Sequence, residues 1–282
     1  MKAIKIVALT VACTLLAHNV RADIILSEDF NYAEGAIADV TDQWTVNNSL
    51  GTDLPTGEGV TIISNPLTYS NTGGEYILSN VGKAANFDYK ASSSTNSTTQ
   101  DVYRSFTAQS ASTNSVIYLT YMMNVNALQA STTQAVGMGQ VYSAISARPW
   151  IKREGTSSST TYSLGITQYS GSGNDVAYDT EHTYQVGTTI LIVLKYDFAN
   201  SQVSMFVNPV IGETTEPTTP NVTATDNTTF RTTLAFVMFW GRNKSPQDVT
   251  YDGLRITTTW AEAVAKKITG RKTGIDLNIF IM

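Results

Sequence analysis

A segment near the middle of the chain alternates cations with a tryptophan. In ARPWIKRE, residues 147–154, the side chains of Arg148, Trp150 and Lys152 occur at every second position. Successive side chains of an extended strand point to opposite faces, so these three share one face if the segment is a strand. An exposed indole ring can stack on a sugar ring while the two cations bond the sugar's hydroxyl or acidic groups. We therefore predict a glycan-binding site at these residues.

Two interpretations of this segment stay open from the sequence. In the first, Trp150 is exposed, and Tyr142 a few residues earlier extends the same platform. In the second, Trp150 packs inside the protein, and the cations reach its rim through their long aliphatic stems. Tyr142 is then an ordinary strand aromatic. The exposure of the Trp150 side chain distinguishes the two interpretations.

Oxygen donors offer one kind of metal site. Asn174, Asp175 and Asp179 lie in the glycine-rich stretch SGSGNDVAYDTE, and calcium prefers oxygen ligands. Asp29 paired with Asp252 is a second option, which would bring the first and last strands together. Neither set has EF-hand spacing, and both can equally be turn chemistry. We expect no cofactor, with a structural calcium at Asp175 and Asp179 as the one metal that this donor set allows.

Composition excludes several other chemistries. The 282 residues include one cysteine and two histidines, and charged residues are only 15% of the chain. Cys13 and His18 lie close to the N-terminus, so the rest of the chain holds one histidine, His182, and no cysteine. Disulfide scaffolds and Cys/His zinc sites are therefore not expected. The net charge of −5, with no basic run before the last 17 residues, argues against a nucleic-acid partner.

The first 22 residues have the pattern of a signal peptide. Lys2 and Lys5 precede the apolar stretch IVALTVACTLLA, and small or branched residues precede a cut after Ala22. The apolar stretch is shorter than the roughly 20 residues of a transmembrane helix. We predict a secreted bacterial protein, extracellular or periplasmic, with no transmembrane segment in the mature chain. A lipoprotein modified at Cys13 is the alternative, although the residues before that cysteine match poorly.

The elements that must position these residues are strands. Past residue 23 the apolar pattern has a period of two and is interrupted by Gly, Asn and Ser clusters, which is typical of many antiparallel strands in a sandwich or barrel. The clearest predicted strands are 116–125, 189–198, 202–208, 233–240 and 249–257. Thr259 followed by Glu262 has the spacing of a capping box, which predicts one short C-terminal helix. We predict three parts: the signal peptide 1–22, one domain over 23–265, and a tail over 266–282.

Three segments together resemble a known class of domain. They are EDFNYAEG at residues 28–35 with Trp44 shortly after it, the hairpin TTILIVLKYDFANSQVSMFVNP, and YDGLRITTTWAEAV near the end. This set resembles the concanavalin-A-like (laminin-G-like) lectin and glucanase sandwich domains of secreted proteins from Bacteroidetes and Verrucomicrobia. The resemblance implies an all-β jelly roll of two stacked antiparallel sheets. It implies no catalytic residues.

The superfamily that these domains belong to also contains glycosidases and polysaccharide lyases. Glycosidases need two carboxylates about 5–9.5 Å apart, and the laminarinase-type pattern Glu-x-Asp-x-x-Glu is absent. Lyases of this fold use a Tyr/His pair, for which His182 and Tyr184 are the candidates. We predict a non-catalytic, secreted glycan-binding protein. The alternatives are a structural surface or matrix protein without a small ligand, and a polysaccharide lyase that uses His182 and Tyr184.

Overall fold

A computed structural model describes residues 24–47, 59–89, 101–128, 130–141, 144–169, 175–225, 230–240 and 247–268. Within these residues the chain forms 21 strands and two helices of four residues each. The all-β prediction is therefore confirmed. The predicted signal peptide, Tyr142 and all but the start of the predicted tail lie outside the described residues. No helix in the described part of the chain is long and apolar enough to cross a membrane.

The strands follow in chain order. The first ten are β1 (Ile24–Glu28), β2 (Gly35–Ala36), β3 (Thr45–Asn47), β4 (Gly59–Ile63), β5 (Ser70–Asn71), β6 (Gly74–Glu75), β7 (Ala84–Tyr89), β8 (Asp101–Ser110), β9 (Val116–Ala127) and β10 (Thr132–Gln134). The others are β11 (Gly137–Val141), β12 (Ala144–Ser146), β13 (Arg148–Arg153), β14 (Thr161–Thr167), β15 (Ala177–Tyr178), β16 (Tyr184–Gln185), β17 (Thr189–Asp197), β18 (Gln202–Val207), β19 (Val222–Thr223), β20 (Thr233–Phe239) and β21 (Gln247–Thr257). The helices are α1 (Ile37–Val40) and α2 (Trp260–Ala263).

Nine strands form the back sheet. Their order is β19-β18-β17-β9-β21-β7-β4-β2, and β1 pairs with the last part of β21. The long strands β17, β9 and β21 make its centre, where the sequence pattern was most regular. Ile117, Leu119 and Tyr121 of β9 point to one side and are fully buried in the main core, because alternate side chains of a strand share a face. The predicted hairpin is β17 and β18, with Ser201 at a positive φ of 50° in its turn.

The second layer, which we call the front sheet, joins two five-stranded groups. One has the order β12-β11-β20-β8-β3, and the other has β10-β13-β14-β15 with β16 also paired to β14. The groups share one hairpin, since β10 and β11 lie along its first arm and β12 and β13 along its second. Ala147, with a φ of 50°, separates β12 from β13. Across this break the Ala135 amide donates to the Pro149 carbonyl at 3.0 Å, so the layer continues through it.

The main core lies between the two sheets. Val102, Ile151, Leu164 and Val237 of the front sheet pack there with the inward side chains of the back sheet. Removing these apolar surfaces from water is the dominant favourable contribution to folding. The two sheets in face-to-face contact confirm the predicted antiparallel sandwich.

The predicted C-terminal helix is α2, and it covers part of the outer face of the back sheet. Trp260 packs there against Tyr118 and Phe206. The Thr259 hydroxyl accepts a hydrogen bond from the Glu262 amide at 3.4 Å, which is the predicted N-cap. The Glu262 carboxylate binds the Arg255 guanidinium at 2.9 Å. The Thr259 half of the predicted capping box is thus confirmed. The Glu262 side chain instead connects the helix to β21 through Arg255.

Candidate functional site

The three residues singled out on β13 lie on the outer face of the front sheet. Ile151 packs in the main core, so Arg148, Trp150 and Lys152 point away from it. Their antiparallel partners on β14 are Thr167, Gly165 and Ser163 respectively, which share that face. The prediction that the three side chains share a face is confirmed.

The interpretation with an exposed Trp150 is wrong, because the residue is only 4% accessible. Its indole N–H donates to the Thr167 hydroxyl at 3.2 Å, which holds the ring against the sheet. Trp150 is also absent from the core between the sheets, so the alternative interpretation does not describe it either. Arg148 is 5% accessible, whereas the Lys152 side chain is 42% accessible. Lys152 is therefore the reachable member of the three, and Tyr142 lies outside the described residues.

An aromatic cluster lies on the same outer face beside Arg148. Trp240, Met238 and Ile145 form a small apolar group with Tyr103, separate from the main core. The Arg148 guanidinium lies over the Trp240 ring, 4.9 Å from its centroid, at a distance where a cation is attracted to the ring face. This part of the outer face thus combines aromatic rings with the buried guanidinium of Arg148.

A second aromatic residue, Tyr178, lies on the other side of Trp150. Tyr178 pairs with Gly165, and its ring occupies the space above that glycine. A Cβ at residue 165 would come within 2.6 Å of the Tyr178 ring, so only glycine permits this placement. The Lys152 ammonium lies over the same ring at 5.1 Å. We call Trp240, Trp150 and Tyr178 the aromatic row.

Each cation beside the aromatic row has a carboxylate near it. Lys152 forms an ion pair with Glu154 at 3.2 Å, and the Ser163 hydroxyl donates to Glu154 at 2.6 Å. The Ser163 hydrogen bond lowers the pKa of Glu154, and Lys152 lowers it further. Burial lowers the pKa of Arg148 to about 10, and the charge of Asp101 acts in the opposite direction. Arg148 therefore stays protonated at neutral pH.

Two further polar side chains on this face have no hydrogen-bond partner within the part of the chain that the structure describes. Gln134 pairs with Trp150 across the hairpin, so both side chains point to the outer face. It is 4% accessible, and neither its amide oxygen nor its amide nitrogen is bonded. The hydroxyl of Tyr178 is likewise buried without a partner. Native proteins leave few such groups unsatisfied.

Sequence reasoning missed Gln134, Trp240 and Tyr178. The position of Trp240 could have been predicted. It directly follows the core residue Phe239, and successive side chains of a strand point to opposite faces. Gln134 had none, since its position beside Trp150 depends on pairing across the hairpin. Tyr178 lies in a two-residue strand whose pairing with β14 no local pattern predicts.

The lyase candidates His182 and Tyr184 come together at Asp179. The buried Asp179 carboxylate accepts from the backbone amides of Glu181 and His182 and lies 3.0 Å from the His182 Nδ1. Tyr184 is half-buried against Tyr162. Burial and then the Asp179 charge raise the pKa of Tyr184. These contacts describe a turn that the Asp179 carboxylate closes.

Two of the calcium candidates, Asp179 and Asp252, accept hydrogen bonds from backbone amides, and Asn174 lies outside the described residues. Asp175 is exposed, and Asp179 has the contacts just described. Asp252 is fully buried and accepts from the amides of Leu67 at 2.7 Å and Gly253 at 2.6 Å. Among the described residues, no group of three or more acidic, His or Cys side chains could hold a metal ion. Calcium at Asp175 and Asp179 stays a prediction.

The EDF segment near the N-terminus performs a structural role. The buried Glu28 carboxylate accepts from the Phe30 amide, the Tyr32 hydroxyl and the Trp44 indole, and it pairs with Arg104. Burial, followed by the charge of Glu28, raises the pKa of Tyr32 to about 12. This cluster fixes β1 to β8 at one corner of the sandwich.

An open cleft of about 430 Å³ lies beside this corner, away from the aromatic row. Its lining residues are Ile25, Leu26, Asp42, Gln43, Arg104, Ser105, Phe106 and Thr107. Phe106 is its one aromatic residue and packs partly against the main core.

A scan of protein-family models finds no match to this chain, and a search of curated proteins finds none either. Solved structures similar to it include the globular domain of T. cruzi calreticulin, at 10% identity and a TM-score of 0.48, over 86% of this chain and 90% of that one. The CBM2 module of the Lactobacillus casei BL23 phage J-1 evolved Dit has 10% identity and a TM-score of 0.45, over 84% and 96%. A sialidase has 9% identity and a TM-score of 0.41; the match covers 84% of this chain and 19% of the sialidase. All three TM-scores are below 0.5.

Proposed function

We propose that this protein binds glycans on the outer face of its front sheet and does so without catalysis. In this proposal the chain is a secreted bacterial domain of the concanavalin-A-like class. The signal-peptide pattern of residues 1–22 supports secretion, and the three segments that resemble that class support the assignment.

The observation that carries the proposal is the composition of the aromatic row and its surroundings. Indole and phenol rings there alternate with cations, outside the main core. Sugars offer apolar C–H faces and a rim of hydroxyls, so a ring beside a hydrogen-bond donor is what they require. Lys152 is the reachable donor, and the buried Arg148 holds its guanidinium over the Trp240 ring. Tyr142 stays a proposed extension of this platform.

Binding to a glycan array tests the proposal, with Lys152→Ala as the site variant. Lys195→Ala is the matched control, because Lys195 also lies on a strand and pairs with a glutamate, Glu216, but on the back sheet. We expect the wild type and the control to bind alike. Lys152→Ala should bind about 2- to 10-fold more weakly, as expected for the loss of one hydrogen bond.

Equal loss of binding in both lysine variants would contradict the site assignment, and silence of the wild type across the array would contradict glycan binding. In that second case, localisation to a surface layer would favour the structural-protein alternative. Trp150→Ala is a poorer choice for this test. Removing a buried indole also lowers stability by about 3–5 kcal/mol, so lost binding would have two causes.

A further inference from the structure

The open cleft at the N-terminal corner lies between an edge of each sheet. Among its lining residues, β1 supplies Ile25 and Leu26, and β8 supplies residues 104–107. In the part of the chain that the structure describes, β1 pairs with β21 alone, and β8 past Tyr103 pairs with β20 alone. The lining takes none of its residues from the described strands β20 and β21, so the cleft lies on the unpaired side of both β1 and β8. We call it the corner cleft.

The free edge of β1 can accept another strand. An unpaired edge presents backbone N–H and C=O groups, which proteins protect with lysine, proline, a bulge or a cover. The sequence of β1, IILSE, has no lysine or proline, and its one charged residue, Glu28, is buried. A register shift between Ile24 and Leu26 marks a bulge, but the strand is regular from Leu26 to Glu28. Since Ile24 is also 49% exposed, this edge has little protection of its own.

The corner cleft also opens onto the main core. Leu26 belongs to that core, and Ile25 and Phe106 pack against it while only partly buried. Apolar side chains placed in the cleft would therefore extend the main core and be removed from water. The occupant that fits is an extended segment with apolar side chains at alternate positions, because its backbone can pair with β1 at the same time.

The chain contains such a segment. Residues 275–282, which lie outside the described ranges, read IDLNIFIM. Apolar residues occupy every odd position, whereas the even positions begin with Asp276 and Asn278. Alternation of this kind is typical of a strand with one buried face. The segment has one charge and neither glycine nor proline, a composition that aggregates when it is left without a partner.

The described end of the chain lies near the end of β1. The Lys267 ammonium donates to the Ser79 carbonyl at 3.1 Å. Four residues further on, the Lys83 amide donates at 2.9 Å to the carbonyl of Asp29, which directly follows β1. Four residues span at most about 14 Å, and the seven steps over 268–275 span up to about 25 Å. The segment can therefore reach the Asp29 end of β1.

We propose that residues 275–282 of this chain occupy the corner cleft as an added strand, antiparallel to β1, with their odd-numbered side chains towards the main core. The direction follows from the point of entry, because β1 runs towards Asp29 and the added strand starts there. The added strand closes the open side of the sandwich and protects the free edge of β1. This inference concerns a contact of the chain with itself and does not depend on the proposed function.

Hydrogen exchange tests the proposal by comparing the full chain with two lysine variants. Ile279→Lys places a charge on the face turned to the core, and Asn278→Lys is the matched control on the opposite face. In the wild type, the β1 amides that point away from β21 should exchange slowly, because the added strand bonds them. We expect Ile279→Lys to speed their exchange at least about tenfold and to lower the melting temperature by at least about 3 °C. Asn278→Lys should change neither.

The amides at the centre of β9 are the reference, since their slow exchange shows that a variant is folded. Equal exchange of the β1 amides in all three folded proteins would overturn the proposal, and so would equal loss of protection in both variants. If β9 itself loses protection in Ile279→Lys, the comparison is repeated with Ile279→Ser, which removes the apolar side chain without adding a charge. The same faster exchange in β1 is expected there, and unchanged exchange would overturn the proposal.

Sedimentation at several protein concentrations identifies which chain supplies the added strand. We expect a monomer whose β1 amides stay protected on dilution, because the strand comes from the same chain. A dimer that loses this protection as it dissociates would assign the strand to a second copy, and would overturn the proposal.

Discussion

The two sheets of the sandwich use their outer faces differently. On the back sheet, α2 and the segment around Tyr69 and Tyr76 cover the strands with two apolar clusters. On the front sheet, the aromatic row is mixed with Arg148 and Lys152. The back face is covered by α2 and by the segment around Tyr69 and Tyr76, whereas on the front face two cations lie over aromatic rings.

Unpartnered polar atoms occur on both faces, but they differ in kind. On the back sheet they are single atoms, such as the Trp260 indole nitrogen and one atom of Asn124, whose amide nitrogen donates to Thr189. On the front sheet the complete amide of Gln134 is unbonded. A single unsatisfied atom is a small cost of close packing, whereas a whole unsatisfied amide calls for a partner. The comparison supports a stabilising role for the back face and the proposed binding role for the front face.

The largest expected effect comes from opening the back face. Trp260→Ala removes the ring that packs against Tyr118 and Phe206, so we expect a loss of about 3–5 kcal/mol in the free energy of unfolding. Glycan affinity, measured at a temperature where the variant is folded, should equal that of the wild type. A loss of affinity without a change in stability would reverse the comparison.

A smaller effect is expected from the buried acid beneath the back face. Burial raises the pKa of Asp252 to about 8, with the charges of Asp29 and Glu28 adding to it. The folded state therefore holds a proton that the unfolded state has already lost above a pH of about 4. The free energy of unfolding must then fall as the pH rises from about 4 to about 8. Asp252→Asn removes the titrating group.

The measurement is the difference in unfolding free energy between wild type and Asp252→Asn at several pH values. Between pH 6 and pH 7 we expect the wild type to lose up to about 1.4 kcal/mol relative to the variant. A difference that stays constant from pH 5 to pH 8 would contradict the raised pKa. Glycan affinity should stay the same in wild type and Asp252→Asn over this pH range, because Asp252 belongs to the back sheet.

Much of the fold could be predicted from the sequence, because its strongest signals are local. Alternation identified β9, β17, β18 and β21, and the Thr259 spacing identified the start of α2. The helix α1 was not predicted, since four residues between strands carry too little pattern.

The candidate site could be predicted only in part. Spacing alone placed Arg148, Trp150 and Lys152 on one face, because strand periodicity is a local property. The sequence left the burial of Trp150 undecided, since it depends on Thr167 and on the ring of Tyr178 above Gly165. Those residues are brought beside Trp150 by strand pairing across the sheet, which no local pattern encodes.

The most direct test of recognition by the front face uses the four tryptophans of the chain. Trp150 and Trp240 lie on the outer face of the front sheet, Trp44 lies in the main core, and Trp260 lies on the back face. The measurement is the shift of each indole N–H resonance in ¹⁵N-labelled protein during titration with the polysaccharide bound most tightly. We expect shifts at Trp150 and Trp240 with Trp44 and Trp260 unchanged. Shifts at Trp260 with Trp150 and Trp240 unmoved would contradict binding at the front face.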